Sequence, residues 1–264
     1  QLTDWMNQVH GPTRLIDSSH RPVPLQFHFA NRKGLFPLLE QTESGQWVCN
    51  RRLKSKLPKS GQSSYGGVPD MVQVVENLRQ RDMLPAIYFI FSRKGCDLAV
   101  AGVGNLDLIA SEAERQQLAE QIDRFCRETP EAVRRDQLDA LYRGIAAHHA
   151  GMLPAWKGLV EHLFQQGLVK LVFATETLAA GINMPARTTV ISSLSKRTDN
   201  GHRLLTASEF MQMSGRAGRR GKDVIGHVVT LQSPFEGAQE AARLATAGAD
   251  PLVSQFTPTY GMVL

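Results

Sequence analysis

The sequence predicts an α/β protein: a parallel sheet covered by helices on both faces, with a short antiparallel β excursion near the amino terminus. Three observations carry this. From His148 onward, the strand-like runs LVKLVFA, TTVISS and IGHVVTL alternate with helical stretches. These runs are largely continuous in apolar residues, as in strands buried on both faces. Near the start, PLQFHFAN, GLFPLLEQ and GQWVCN are short β-like pieces separated by Gly34, Ser44 and Gly45. With 264 residues, 42% hydrophobic and 21% charged, the chain is large enough to bury a core, which excludes disorder, collagen and coiled coil.

The elements follow in order. QLTDWMNQVHG reads as a helix or linker. After the Gly/Ser-rich KSGQSSYGG, a helix is expected from Pro69, because Met71, Val74, Val75 and Leu78 recur at helical spacing. It leads to a strand over 85–91. A mostly helical stretch is expected through about Ala147, with Pro130 as a first-turn proline opening a new helix. A helix from Ala155 to Gln166 is closed by Gly167, and another begins at Thr206, where Thr206 and Glu209 have capping-box spacing.

The net charge of +5 is concentrated in one place. Between Glu43 and Asp70 no acid occurs, while Arg51, Arg52, Lys54, Lys56 and Lys59 supply five positive charges. Such an arm suits a polyanion, through phosphate contacts and counterion release; a solvated loop is an equal alternative. No apolar run approaches the ~18 residues of a membrane span, and the start lacks a signal-peptide pattern. Cys49, Cys96 and Cys126 are odd in number and far apart. A cytoplasmic or other reducing intracellular compartment, with no membrane partner, is the expectation. The chain does not begin with Met and stops at the apolar GMVL, so both ends read as cut from a longer polypeptide.

Four segments carry candidate chemistry. In TASEFMQMSGRAGRRGKD, Gln212, Arg216 and Arg219 lie at offsets of four and seven. On a continuous helix, at ~100° per residue, they share one face within roughly 60°. An amide and two guanidiniums, with Gly215, Gly218 and Gly221 removing bulk, suit a triphosphate. An arginine-rich turn on nucleic-acid phosphate, or a solvated helix end, is the alternative. The Walker A pattern GxxxxGK[ST] occurs nowhere, since Lys222 is followed by Asp223.

In LVFATETLAAGINMPA, Thr175 and Glu176 follow an apolar run at the expected carboxyl end of a parallel strand, where α/β sheets place ligands. Gly181 permits close backbone approach and Asn183 suits a ribose hydroxyl. An ordinary strand-to-helix turn is the competing reading. FIFSRKGCD brings Ser92, Arg93 and Lys94 to another strand end, as phosphate contacts or a capped helix start. In HHAGMLP, metal binding is disfavoured because no partner sits at ligand spacing. Backbone contact by His149 and Gly151, or a satisfied structural histidine, remain.

Taken together and in order, these pieces resemble the second RecA-like domain of superfamily 2 helicases, in the superkiller-type (Ski-like) DExH-box group. FSRKGCD is similar to motif IV, HHAGMLP to the block that follows it, ATETLAAGINMPA to motif V and QMSGRAGRRG to motif VI. The resemblance runs from about Arg21, in RPVPLQ, to the end of the chain. It implies a linker or last helix of a first domain at residues 1–20, the RecA-like domain at 21–245, and the lead into a winged-helix region at 246–264.

The resemblance also implies roles. Arg219 is the arginine finger, Arg216 its neighbour on the ATP phosphates, and Gln212 lies near the γ-phosphate and attacking water. Gly181, Asn183, Gly215 and Gly218 line the ATP site. Ser92, Arg93, Lys94, His149, Gly151, Thr175 and Glu176 contact the nucleic-acid backbone, with Asn183 facing either ligand. Arg220 and Gly221 match the RRG ending of RNA-acting members. The Walker A lysine and the DExH acids are absent, so ATP and Mg2+ are expected between this half and a first RecA-like domain that holds the metal. The partners implied are that domain and single-stranded RNA, in a monomer. A non-catalytic nucleic-acid-binding module and a DNA helicase of the related repair group are the alternatives.

Overall fold

A computed structural model describes residues 2–16, 21–53, 67–181, 184–198 and 201–248. In chain order, helix α1 (Leu2–Val9) is followed by strands β1 (Leu25–Asn31) and β2 (Gly34–Pro37), and by a small hairpin of β3 (Leu39–Gln41) and β4 (Trp47–Cys49). Next come α2 (Met71–Gln80), β5 (Ala86–Phe89), α3 (Arg93–Val103), α4 (Glu112–Glu128), α5 (Leu138–Tyr142) and β6 (Ile145–His148). The carboxyl-terminal half contains α6 (Pro154–Gln165), β7 (Leu171–Ala174), α7 (Thr177–Gly181) and β8 (Thr188–Ile191). It continues with β9 (Ser195–Thr198), β10 (Gly201–Leu204), α8 (Ala207–Ser214), β11 (Gly226–Leu231) and α9 (Ala238–Thr246).

One sheet has the order β2-β1-β11-β8-β5-β7-β6, parallel throughout except for β2 on the edge. Every residue of β5, β6, β7 and β8 is buried, so both faces of these strands are covered. The large side chains of Tyr88, Phe89, Phe173, Trp156 and Phe210 fill the core. Burying side chains of this kind contributes about 2 kcal/mol each. The predicted α/β class and the strand at 85–91 are therefore present. The helix expected from Pro69 starts two residues later, because the Asp70 side chain accepts from Gln73 N and caps it.

The expected antiparallel excursion is present: β1 pairs antiparallel with β2 and β3 with β4, while the other edge of β1 pairs in parallel with β11, six residues in register. Two expectations need correction. The stretch assigned to helix through Ala147 ends in β6, whose IAAH is too short and too alanine-rich to show a period. Pro130 opens a single 3₁₀ turn over Pro130–Ala132 rather than a helix. The basic arm is described only at Arg51 and Arg52, in a 3₁₀ turn anchored by buried Leu53, with Arg51 Nε 3.3 Å from Glu40. Lys54, Lys56 and Lys59 lie outside the described residues.

No helix among the described residues is long and apolar enough to cross a membrane.

Candidate functional site

Three of the four candidate segments start from one row of the sheet. Phe89, Ala174 and His148, on β5, β7 and β6, are register partners at the carboxyl ends of adjacent parallel strands. The chain leaves that row into Ser92-Arg93-Lys94, Thr175-Glu176 and His149-Ala150-Gly151. Parallel pairing thus gathers segments that are 24 or more positions apart in sequence.

At the first of these ends, Ser92 is the N-cap of α3: its extended backbone turns the chain, and its Oγ accepts from Gly95 N at 3.1 Å. Arg93 and Lys94 are exposed in the first turn. Gly151 sits beside them, since a Cβ there would lie 3.6 Å from Arg93 Cδ. Thr175 Oγ1 is 3.0 Å from Thr177 Oγ1, and Glu176 Oε2 accepts from Lys196 Nζ at 2.9 Å.

His149 does not join the exposed row and takes the structural alternative. It is 3% exposed, its Nδ1 accepts from Gly151 N at 3.2 Å, and its Nε2 therefore carries the proton and donates to Asp97 Oδ1 at 3.1 Å. The same Asp97 oxygen accepts from Gln137 Nε2 and Arg134 Nη2. The ring is spent on shaping the 149–152 turn, so its contribution is to hold Gly151 in place. Asp97, an acid inside the predicted helix start, carried no signal of this role.

The arginine segment departs from the single-face geometry. Helix α8 begins as the sequence predicts: Thr206 Oγ1 accepts from Glu209 N, and Glu209 Oε2 accepts from Thr206 N, a complete capping box. It ends, however, at Ser214. Gln212 alone of the three is helical, and it is exposed. Beyond Gly215 the backbone pairs with the segment ahead of β8: Ala186 N donates to Arg216 O at 2.8 Å, and Gly218 N donates to Ala186 O at 2.7 Å. This exchange replaces the next helical turn. Gly218, at φ +85°, completes the turn, and a Cβ there would meet Val23 Cγ1 at 2.6 Å. Gly218 is thus required by packing and backbone; Gly215, at the helix end, is exposed.

The two arginines go to different places. Arg216 reaches α7, donating Nε to Ala179 O at 2.9 Å, with Nη2 on the same oxygen. Arg219 lies at the amino ends of β8 and β11, the opposite edge from the row described above. There it donates Nε to Asp223 Oδ2 and Nη2 to Asp223 Oδ1, both at 2.8 Å. The Asp223 side chain is 1% exposed and also accepts from Arg219 N and from Arg187 Nε at 2.9 Å. Burial alone raises the carboxyl pKa of Asp223, but the hydrogen bonds from Arg219 and Arg187 outweigh it and hold the group well below the usual carboxylate range.

A guanidinium has two bidentate edges, Nε with Nη2 and Nη1 with Nη2. Asp223 occupies the first edge of Arg219, and no bond to Nη1 is found among the described residues. Arg21 steadies the same turn, donating to Ala217 O at 2.7 Å and to Gly215 O at 3.3 Å. Gly181 is the last residue of α7, and Asn183 lies outside the described residues. Among the described residues no three His, Cys, Asp or Glu side chains are grouped to hold a metal.

Comparison with known proteins agrees with this architecture. The helicase conserved C-terminal domain family matches residues 103–221. The chain is 44% identical over 308 residues to the DExH-box ATP-dependent RNA helicase DExH15, chloroplastic, of Arabidopsis thaliana, across 100% of this chain and 26% of that protein. It is 41% identical over 285 residues to the probable helicase HelY of Mycobacterium tuberculosis, across 98% of this chain and 32% of the relative. With the human superkiller complex protein 2 it shares 33% identity over 293 residues, across 100% of this chain and 23% of the relative. The chain therefore spans between about a quarter and a third of these relatives' length. With four ordered motifs, a mostly parallel sheet that presents them and relatives aligned along its whole length, the chain belongs to the Ski-like DExH-box helicases as a second RecA-like, C-terminal helicase domain.

Proposed function

We propose that this domain is the carboxyl-terminal half of an ATP-dependent, RNA-translocating motor, closing against a first RecA-like domain of the same polypeptide. The observation that carries this reading is the register row of Phe89, Ala174 and His148, which brings Ser92, Arg93, Lys94, Gly151, Thr175 and Glu176 to one edge of the sheet. Exposed Arg93 and Lys94, a capped helix start and a bare Gly151 suit a sugar-phosphate backbone approached without regard to base sequence.

The arginine segment suits a polyphosphate brought by the partner domain. Bound ATP, with a magnesium ion held on that first domain, supplies the phosphoanhydride whose hydrolysis drives the cycle. On this side, Arg219 offers its Nη1–Nη2 edge to the developing charge, while Arg216 ties the turn to α7. Gln212, exposed on α8, faces solvent where a partner domain can meet it. Domain closure makes these contacts and release undoes them, as in other two-domain machines.

The test is Arg219→Ala in the full-length protein. Turnover with single-stranded RNA is expected to fall by about 100-fold or more, with ATP binding weakened but measurable, because a finger acts chiefly in the transition state. A kcat near wild type removes Arg219 from the site. RNA and DNA compared as stimulators of the same protein decide the strand type.

A further inference from the structure

We propose that Lys196 is a positioning residue that couples strand engagement at Thr175-Glu176 to the arginine-bearing segment, through an ammonium shared between Glu176 and Glu209. The inference rests on the motor reading above and adds a transmission route to it.

The hairpin β9–β10 stands apart from the main sheet. In it Lys196 and Arg203 are directly opposed register partners, a like-charge pair that is unfavourable on its own. Glu209 resolves the repulsion: its Oε1 accepts from Lys196 Nζ at 2.6 Å and from Arg203 Nη2 at 2.7 Å, and its Oε2 accepts from Arg203 Nη1 at 2.8 Å. The hairpin is thereby pinned to the first turn of α8. Arg203 bonds Glu209 and the Leu204 carbonyl, whereas Lys196 continues to Glu176 Oε2 at 2.9 Å.

The ends of this bridge matter. Glu176 follows Thr175 at the carboxyl end of β7, on the edge proposed for RNA. Glu209 sits on α8, an eight-residue helix about 12 Å long that runs toward the opposite edge and delivers Arg216 and Arg219 just past its end. A displacement of Glu176 by an incoming strand thus pulls on the start of the helix whose far end holds the guanidiniums. Lys196 is bonded to Glu176 at the proposed RNA edge but is not itself among the proposed ligand contacts, and its side chain is 17% exposed, so solvent screens its ammonium less than an open surface charge. Removing Lys196 leaves the capping box and the Arg203–Glu209 pair intact, so α8 keeps its start while the link to Glu176 is lost.

The experiment compares wild type, Lys196→Met and Lys196→Arg in the full-length protein, using polyuridylate as the RNA. ATPase is measured without RNA and at saturating RNA, alongside RNA affinity in the absence of nucleotide and the melting temperature. Lys196→Met is expected to lose the RNA stimulation by five-fold or more, with basal ATPase and RNA affinity within about two-fold of wild type. Lys196→Arg, which keeps the charge and can span two carboxylates, is expected to restore most of it. Wild-type stimulation in Lys196→Met overturns the coupling, as does an equal loss of basal and stimulated rates or an arginine variant no better than methionine. Absence of RNA-stimulated ATPase in the wild type rejects the motor reading and the coupling with it, an outcome separate from any failure confined to the variants.

Discussion

Arg219 shows how a charge can be held without being quenched. Its carboxylate partner, Asp223, takes one edge of the guanidinium and is itself shared with Arg187, which also reaches the Asp82 carboxylate. The four groups alternate in sign and fix Arg219 by its Nε side. Asp223→Asn keeps the shape but presents an amide to donors that need an acceptor. It is expected to cost about 1–3 kcal/mol of stability, read as a lowered melting temperature. In the full-length protein the same change is expected to lower kcat by about ten-fold with little change in KM for ATP, because orientation is lost and ground-state binding is not. A kcat unchanged in a correctly folded Asp223→Asn protein rejects the positioning role. Asp223 was visible in RRGKD, but nothing in that string indicates that its carboxylate turns back on Arg219, four residues earlier, and meets Arg187, just ahead of β8.

Among the elements, α8 and the turn after it divide what local sequence can specify from what it cannot. Thr206 and Glu209 specify the helix start by themselves, because a capping box needs only four consecutive residues. The helix end depends on Ala186, a residue about thirty positions away whose N–H and C=O claim the backbone of Arg216 and Gly218. A second inter-element contact is the pair His28 and His227, which joins β1 to β11 with Nε2 and Nδ1 3.1 Å apart. Burial, with His227 and Arg81 adding repulsion, lowers the His28 pKa from its ordinary 6.5 to about 4, and burial lowers that of His227 as well.

As pH falls from 6.5 toward 4, the unfolded chain therefore takes up protons that the folded domain refuses. The stability present above pH 6.5 is progressively lost across that window, by up to roughly 3 kcal/mol from His28. Melting temperatures measured from pH 7 to 4.5 are expected to fall with a shallower slope in His28→Gln than in wild type. Equal slopes exclude His28 as the source.

At the scale of the whole molecule, the two candidate regions occupy opposite edges of one sheet, joined by α7, α8 and the β9–β10 hairpin. Separation of this kind suits a machine in which one ligand's arrival is reported to the other site. On the proposed reading labour is divided between domains, with Arg216 and Arg219 assigned to the nucleotide; among the described residues no three metal-binding side chains are grouped, and the sequence contains no GxxxxGK[ST] pattern. Purified alone, the 264-residue chain is expected to turn over ATP at under about 1% of the RNA-stimulated rate of the full-length protein, as expected when catalytic groups act as one unit. Substantial turnover by this chain contradicts the division.

The sequence by itself determined the α/β class, the cap at Thr206, the helix ending near Gly167 and the order of the four motifs. Each is written in residues close together, where periodicity, capping chemistry and turn propensity act. Tertiary structure decided the rest. It made β1 a parallel neighbour of β11, formed a strand from alanine-rich IAAH, turned His149 inward onto Asp97, stopped α8 at Ser214 and placed Arg219 on Asp223. In every one of these cases the deciding partner is remote in the chain or reached only through a turn, and backbone pairing, burial and charge neutralisation outweigh local preference once folding brings that partner within reach.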